Sequence, residues 1–410
     1  MEKILRVYII ILAFCVVGLY SQTWTECAPI PTPRWYPASV VLNGKIYVIG
    51  GQDSTYPYAS LNTVEVYNPL TDTWESKTPL MHDRWGLMAA VVNGKIYAIG
   101  GRFGSASGGH SATNVVEEYD PGTDMWTLKA PMPTARGYGG CGVFNDTIFV
   151  FGGRLNSAVT AVEKYYPAAD SWYSDPPMTV ARYTFATALV DNKFYLIGGW
   201  GSTLVQEYDP VTKTWVDKTP IPTARGGSGS GVVNMHIYVV GGRGGNSNEF
   251  ECYNPVDDVW TTLVPMPTPR EGLTAAVINN KFFAITGSVP VSQGGLPYYG
   301  KNEMADSLTA VEEKSDNSLN GCLFQHWPNP FRTSTTAYYS IPYQGRVVLS
   351  IYDVSGRKVK PLVNKLQNAG DYTIEWKGKD SRGLELPSGT YFFNFRFNDY
   401  SKIEKCLIIF

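Results

Sequence analysis

Residues 84–101 read RWGLMAAVVNGKIYAIGG. The apolar run of residues 86–92 is followed by Asn93-Gly94, a pair typical of a two-residue hairpin turn, and then by a second run, residues 95–101, that ends on two glycines. Further on, residues 115–119 (VVEEY) predict a third strand, and Trp126 begins a fourth. The stretch therefore predicts four short antiparallel strands, the content of one propeller blade.

The same pattern recurs six times at fixed intervals. The tryptophans are Trp24, Trp74, Trp126, Trp172, Trp215 and Trp260. Ten residues after each stands an arginine, at Arg34, Arg84, Arg136, Arg182, Arg225 and Arg270. Sixteen residues after each arginine comes a glycine pair, or Thr286-Gly287 in the last copy. A period of 43 to 52 residues predicts a repeat architecture whose units bury their apolar faces against one another.

The repeated string resembles the kelch motif from residue 22 to about residue 314. The resemblance implies an all-β chain with a β-propeller, and six copies imply six blades. No strand precedes Trp24, so residues 22–30 are expected to supply the outer strand of blade six and to close the ring. For the third strand of that blade, residues 308–313 are preferred and residues 296–299 are the alternative.

Composition and the N-terminus indicate an exported protein. Charged residues make up 17% of the 410 residues and the net charge is −2, which argues against a nucleic-acid partner. Residues 1–21 combine Lys3 and Arg6 with a short apolar run and predict a signal peptide, with no further membrane span in the mature chain. Without a CxxC pair, Cys141 and Cys252 are expected to be buried thiols.

A second domain is predicted after a polar linker, residues 315–321. Residues 322–410 contain about seven short strands, which favours an immunoglobulin-like β-sandwich. Residues 328–331 (PNPF), Trp376 and Ser388-Gly389 resemble the C-terminal sorting domain of the bacterial type IX secretion system. The resemblance implies the secretion machinery as a partner and a secreted or cell-surface location reached through the periplasm. A plain adhesion module is the alternative.

One interval of the repeat varies in length, the segment from the glycine pair to the third strand. These variable loops share a rim with the connections between blades, and variable loops on a rigid scaffold commonly carry binding. The expected ligand-binding residues of this rim are Arg34, Arg84, Arg102, Arg136, Arg154, Arg182, Arg225, Arg243, Arg270, Trp85, Tyr138, Tyr183 and Trp200. Forked guanidinium donors beside aromatic faces suit an anionic glycan or an acidic peptide, and the resemblance to kelch adaptor proteins supports the peptide.

The six in-phase arginines have a second interpretation. A residue that recurs in every blade often serves the blade, so these side chains could bond neighbouring carbonyls instead of a ligand. Arg102, Arg154 and Arg243 follow the glycine pairs in three copies only, which makes them the stronger ligand candidates.

We expect no catalytic residue, cofactor or metal. His82, His110, His236 and His326 form no ligand pattern, which argues against a copper radical oxidase of kelch type. A sugar-acid epimerase or mutarotase is the enzymatic alternative, with Glu271 beside Arg270 or Asp83 beside Arg84 as acid/base groups. A structural surface protein is a third possibility. The sequence favours a monomeric, non-catalytic binding module.

Overall fold

The computed structural model describes residues 22–54, 58–105, 109–290, 299–306, 308, 323–341, 343–398 and 400–409. The predicted signal segment, residues 1–21, and the predicted linker, residues 315–321, lie outside these ranges. The described chain is all-β apart from one 3-10 turn, Pro167–Ala169. Within these ranges, no helix has the length and apolar character needed to cross a membrane.

Between residues 23 and 306, the described strands form six four-stranded antiparallel sheets and one two-stranded sheet, Arg34–Trp35 with Gln52–Asp53. The first contains Ala38–Leu42, Lys45–Ile49, Val64–Asn68 and Thr73–Lys77. The second contains Met88–Val92, Lys95–Ser105, Gly109–Asp120 and Met125–Lys129. The third contains Gly140–Phe144, Thr147–Phe151, Val162–Tyr166 and Ser171–Asp175. The fourth contains Ala186–Val190, Lys193–Ile197, Val205–Asp209 and Thr214–Lys218. The fifth contains Gly229–Val233, His236–Val240, Phe250–Asn254 and Val259–Thr262.

The sixth sheet combines both ends of the repeat region. Its strands are Thr274–Ile278, Lys281–Ile285, Asn302–Asp306 and Thr23–Cys27. Thr23–Cys27 pairs with Asn302–Asp306, with Trp24 opposite Ala305, as expected for residues 22–30. The start of the described chain thus covers an edge that would otherwise stay open.

The prediction for the third strand of this sheet is wrong. The strand is Asn302–Asp306, not residues 308–313 and not residues 296–299. The physical reason is that the ladder begins early: the Thr286 N–H donates to the Lys301 carbonyl at 2.7 Å, and Glu303 lies 2.8 Å from the Arg270 guanidinium.

The second sheet is longer than the sequence pattern indicates. Lys95–Ser105 and Gly109–Asp120 replace the expected residues 95–101 and 115–119, because pairing continues past the glycine pair, with Arg102 opposite Ala112. A register shift between Thr113 and Val116 separates this extension from the regular ladder.

Adjacent sheets are joined where a glycine pair meets the next in-phase arginine. The Gly101 N–H donates to the Arg136 carbonyl at 2.9 Å. Equivalent bonds link Gly51 to Arg84, Gly153 to Arg182, Gly199 to Arg225, Gly242 to Arg270 and Gly287 to Arg34. The last of these connects the sixth sheet back to the first, so the six junctions form a closed circuit.

A second circuit of main-chain bonds lies two residues beyond each in-phase arginine. Each N–H in it donates to the carbonyl of the preceding member at 2.7 to 2.9 Å. The members are Tyr36, Gly86, Tyr138, Thr184, Gly227 and Gly272, all with positive φ. Tyr36 accepts from Gly86 and donates to Gly272, which closes this circuit as well.

A tyrosine stands seven residues before each tryptophan from Trp74 to Trp260. In four of these five repeats, the tyrosine and the tryptophan hold the connection that precedes their sheet. The Tyr119 hydroxyl donates to Asp124 at 2.6 Å, and this bond holds the pKa of Asp124 below its usual value. Asp124 also accepts from the Thr78 N–H, while the Trp126 Nε1–H donates to the Thr78 carbonyl at 2.9 Å. The same arrangement occurs around Trp74, Trp172 and Trp260. These aromatics therefore serve packing between sheets.

The C-terminal residues form two further antiparallel sheets. One contains Leu323–Trp327, Thr335–Ile341 and Gly370–Trp376. The other contains Lys358–Gln367, Gly345–Asp353, Gly389–Phe397 and Tyr400–Ile408. A core that includes Trp376, Phe393 and Phe395 lies between them.

A pair of glycine substitutions in the second sheet tests the junctions. Gly100 has φ of 57°, and an added Cβ would lie 2.5 Å from the Arg136 carbonyl oxygen. Gly94 has φ of 74°, but nothing lies within 4 Å of its Cβ position. Gly94→Ala is expected to cost about 1–2 kcal/mol of backbone strain. Gly100→Ala should cost a further 1–3 kcal/mol, roughly, for the clash.

Unfolding of both variants in urea, followed by tryptophan fluorescence, measures this difference. Equal destabilisation of the two variants would contradict a tight junction between the second and third sheets.

Candidate functional site

The six in-phase arginines lie inside the sheets. Their exposed fractions are 0 to 5%. Arg84 Nη1 lies 2.6 Å from the Glu117 carboxylate, and Arg136 Nη1 lies 2.5 Å from Glu163. Arg34, Arg225 and Arg270 pair in the same way with Glu65, Glu251 and Glu303. This geometry favours the interpretation in which the six residues serve the blades.

The constant interval between each in-phase arginine and its glycine pair has a direct cause in these arginine side chains. Arg84 Nη2 donates to the Ala98 carbonyl, fourteen residues further on, at 3.1 Å. The in-phase arginines of the third to sixth sheets bond the carbonyl at the same offset. Arg182 Nη1 also donates to the Gly198 and Leu204 carbonyls at 2.8 and 2.9 Å, on either side of the loop. The guanidinium thus closes the base of the variable loop.

Sequence reasoning missed the carboxylates that hold these arginines. Four of the five glutamates stand two residues before a tyrosine that recurs seven residues ahead of the tryptophan, as Glu117 does before Tyr119, so a recurring signal was present. The fourth sheet has Gln206 at this position, and its amide group accepts from Arg182 at 2.8 Å and donates to Asp217 at 2.8 Å. There the negative charge is one residue removed from the guanidinium.

Burial has an electrostatic cost at these positions. Loss of water lowers the pKa of the Arg270 guanidinium to about 10, although Glu303 opposes the shift. Burial also raises the pKa of Glu251, against the attraction of Arg225. Both pKa shifts have the direction expected from burial, which disfavours the charged form, and in both cases the oppositely charged partner counteracts the shift.

Three arginines that do not recur in every repeat lie at the loop rim. Arg154 and Arg243 are exposed, and Arg102 is half-buried. Arg102 donates to the Leu155 and His110 carbonyls at 3.0 and 3.2 Å, which leaves part of its fork available. In the described part of the chain, no carboxylate forms an ion pair with Arg102, Arg154 or Arg243.

The rim aromatics separate into two groups. Trp85 is buried, and its ring centroid lies 5.3 Å from that of Tyr138. Tyr36 packs on Tyr138 at 5.0 Å, so these three rings support the second main-chain circuit. Tyr183 stacks on Trp200 at 5.9 Å with an interplanar angle of 16°, and Trp200 is 47% exposed.

The second aromatic group is flanked by two of these three rim arginines. The Arg154 guanidinium lies 5.4 Å from the Tyr183 ring centroid, and the Arg243 guanidinium lies 4.2 Å from that of Trp200. Both distances are within the range of a cation–π contact. We call Arg154, Tyr183, Trp200 and Arg243 the rim stack. It joins side chains of the third, fourth and fifth repeats and combines cationic donors with an exposed aromatic face.

The acid/base pairs considered for an epimerase have no free arginine beside them. The Arg270 guanidinium bonds Glu303, and the Arg84 guanidinium bonds Glu117. Asp83 accepts a hydrogen bond from the Ser60 hydroxyl. Glu271 is 1% exposed. These arginines are committed to internal partners, so the pairs offer no carboxylate-binding guanidinium to a substrate.

The predicted thiols differ in burial. Cys252 is buried, as expected, whereas Cys141 is half-buried and lines the central channel. Burial raises the pKa of both thiols to about 12, so neither is a thiolate near neutral pH.

The repeat region matches the model of the KLHDC2/KLHL20/DRC7 Kelch-repeats domain over residues 13–199 and again over residues 86–287. The chain belongs to the kelch-repeat family. Its C-terminal part, residues 342–396, matches the model of the FlgD Ig-like domain, a family other than that of the predicted sorting domain.

Several relatives share part of the repeat region. Kelch-like protein terF of Aspergillus terreus is 27% identical over 150 residues, 33% of this chain and 31% of that protein. Kelch-like protein 25 of Xenopus tropicalis is 29% identical over 144 residues, 34% of this chain and 24% of that protein. The chain therefore spans less than a third of the length of either relative. The solved structure of YjhT has a TM-score of 0.58 at 16% identity, covers 67% of this chain and 96% of its own, and shows the fold alone.

Two arginine substitutions distinguish scaffold from rim. Arg84→Ala would remove the guanidinium from the buried Glu117 carboxylate and leave it the Met81 and His82 N–H groups and the His82 ring, and we expect a loss of about 3–5 kcal/mol of folding free energy. Arg102→Ala, at the rim, should change stability by about 0.5 kcal/mol or less. Thermal and urea unfolding of both variants would measure this, and an Arg84→Ala variant as stable as Arg102→Ala would contradict the scaffold role.

Proposed function

We propose that this protein is an exported six-bladed kelch propeller that binds an anionic glycan or an acidic peptide at the rim stack without catalysis. The observation that carries the proposal is the pairing of two arginines, free of carboxylate partners, with a stacked tyrosine and tryptophan. Arg154, Trp200 and Arg243 lie at the variable loops and Tyr183 lies in the adjoining connection between sheets, while the recurring arginines are committed to the sheets.

The six-bladed ring is supported by the two circuits of main-chain bonds. Both pass through six junctions and return to their starting sheet. The innermost strand of each sheet also contacts that of the next, and Thr274–Ile278 contacts Ala38–Leu42. An immunoglobulin-like sandwich for the C-terminal domain is supported by its two facing sheets and by the FlgD Ig-like match.

The ligand class follows from the chemistry of the stack. A guanidinium fork held on an aromatic face presents its N–H groups sideways, in a plane that suits the two oxygens of a carboxylate, sulfate or phosphate. The Trp200 side chain is 47% exposed, and its apolar ring surface suits a sugar ring or a peptide side chain. The kelch homologues favour the peptide alternative, because they suggest a protein partner.

Binding to acidic-peptide and anionic-glycan arrays tests this proposal. Removing both guanidinium groups in Arg154→Ala/Arg243→Ala should weaken binding more than tenfold, since each charged hydrogen bond contributes about 1.5–3 kcal/mol. Arg243→Lys should retain part of the affinity, because an ammonium keeps the charge but loses the planar fork. Raising the salt concentration should weaken binding by the wild type.

Arg382→Ala is the matched control. Its side chain is 79% exposed and lies in the C-terminal domain, away from the rim stack. If every ligand of the wild type binds the double variant equally well, the rim stack is not the binding site.

Export and sorting form a separate part of the proposal. We propose that residues 1–21 direct the chain to the periplasm and that residues 322–410 direct it across the outer membrane through type IX secretion, before release or attachment at the cell surface. The support is the order of the resembling segments, from residues 328–331 through Trp376 to Ser388-Gly389.

Deleting residues 322–410 should trap the propeller in the periplasm of a host that has type IX secretion. Cell fractionation and surface labelling of the full and shortened chains measure this. Equal amounts at the surface would contradict a sorting role and leave the adhesion module as the better interpretation.

A further inference from the structure

The inner strand of each sheet lines the central channel, and its lining changes along the channel. The second residues of these strands are small: Ser39, Ala89, Cys141, Thr187, Ser230 and Ala275. The fourth residues are aliphatic: Val41, Val91, Val143, Leu189, Val232 and Val277. We call these six aliphatic residues the collar. The collar lies toward the hairpin turns, at the end of the channel opposite the rim stack.

The C-terminal domain lies over the collar. One face of its four-stranded sheet forms the core of the domain, and the other carries Tyr352, Phe392 and Ile403 against the propeller. These side chains pack in one cluster with Val190 and Met235 of the fourth and fifth sheets. Both faces of this sheet are therefore covered, as expected for a built interface rather than a loose tether.

One hairpin turn of the propeller adds polar contacts to this interface. Asp191 accepts a hydrogen bond from the Tyr352 hydroxyl at 2.8 Å and pairs with the Lys358 ammonium at 2.9 Å. Its N–H donates to the Gly356 carbonyl at 3.0 Å. The first residue of the hairpin turn is asparagine in the other five repeats, so only the fourth repeat offers a carboxylate here.

A chamber of about 760 Å³ lies between the collar and the C-terminal domain. Its volume falls in the range of small-molecule sites, which often lie between domains. The collar is not filled by packing, because Val41 remains 36% exposed. On the opposite wall stand Asp353, Arg357 and Lys405.

Among the described residues of the polar wall, one cation, Lys405, has no ion pair. Asp353 is neutralised by Arg357 at 3.0 Å and also accepts from the Ser355 hydroxyl. Lys405 stands opposite Phe392 in the strand register, which puts it on the face turned toward the propeller. Its ammonium has no ion pair with any described residue. Asp146, in the turn of the third sheet, is the one carboxylate of the lining that also lacks such a pair.

We propose that this interdomain chamber binds a medium-chain amphipathic carboxylate, with its apolar chain inside the collar and its carboxylate toward Lys405. The site is independent of the rim stack and of the anionic ligand proposed there. An apolar chain removes the exposed aliphatic surface of the collar from water, and the carboxylate meets the free ammonium on the polar wall.

Titration calorimetry of the full chain with saturated carboxylates of eight to twelve carbons, below their micelle-forming concentrations, tests the site. Binding should be saturable at one ligand per chain. Each added methylene should tighten binding about fourfold until the chamber is filled. Decanoate should bind more tightly than decanol or decylamine. No saturable binding, or a preference for decylamine, would overturn the assignment.

Substitutions locate the bound ligand. Val143→Trp fills part of the collar and should weaken decanoate binding at least tenfold, whereas Val211→Trp, on an outer turn where Val211 is 71% exposed, should leave it unchanged. Lys405→Gln should remove the preference for decanoate over decanol, and Lys377→Gln, at another exposed lysine, should preserve it. Binding that is unaffected by both Val143→Trp and Lys405→Gln would place the ligand elsewhere and reject the proposal.

Discussion

The arginine at each sheet junction makes two kinds of contact, and the repeat depends on both. Its carbonyl accepts from the second glycine of the preceding sheet, as Arg136 does from Gly101. Its guanidinium turns into its own sheet, bonding second-strand carbonyls and a third-strand carboxylate. Because that guanidinium holds the base of the loop, the loop can change in length without moving the strands. The constant intervals and the single variable interval therefore have the same cause.

Most of the repeat region could be predicted because its determinants are local. The Asn93-Gly94 turn, the apolar runs and the glycine pair each predict an element within a few residues. The third strand of the sixth sheet was mispredicted where this regularity ends, since Ala305 stands at the position of the in-phase tyrosine. The glutamate series would have located it, because Glu303 continues that series when the tyrosine does not.

The binding surfaces could be predicted only in part, because they join residues that are distant in the chain. Tyr183, Trp200 and Arg243 were candidates one by one, but their order in the rim stack follows from how neighbouring sheets meet. Asp191 shows the same limit. Its departure from asparagine is visible in the sequence, yet nothing in the sequence indicates that its partners are Tyr352 and Lys358, more than 160 residues away.

The fourth sheet departs from the repeat at several positions. Gln206 replaces the glutamate, Tyr208 bonds Asp175 of the preceding sheet instead of an acid in its own turn, and Asp191 replaces the turn asparagine. Tyr183 and Trp200 of the rim stack belong to the same repeat. Symmetric positions are constrained by the need of every sheet to pack against its neighbours. The fourth repeat differs from the others at both ends of its strands. Tyr183 and Trp200 lie at the rim end, and Asp191 lies at the end that faces the C-terminal domain. The fourth repeat therefore contributes side chains both to the rim stack and to the contact with the C-terminal domain.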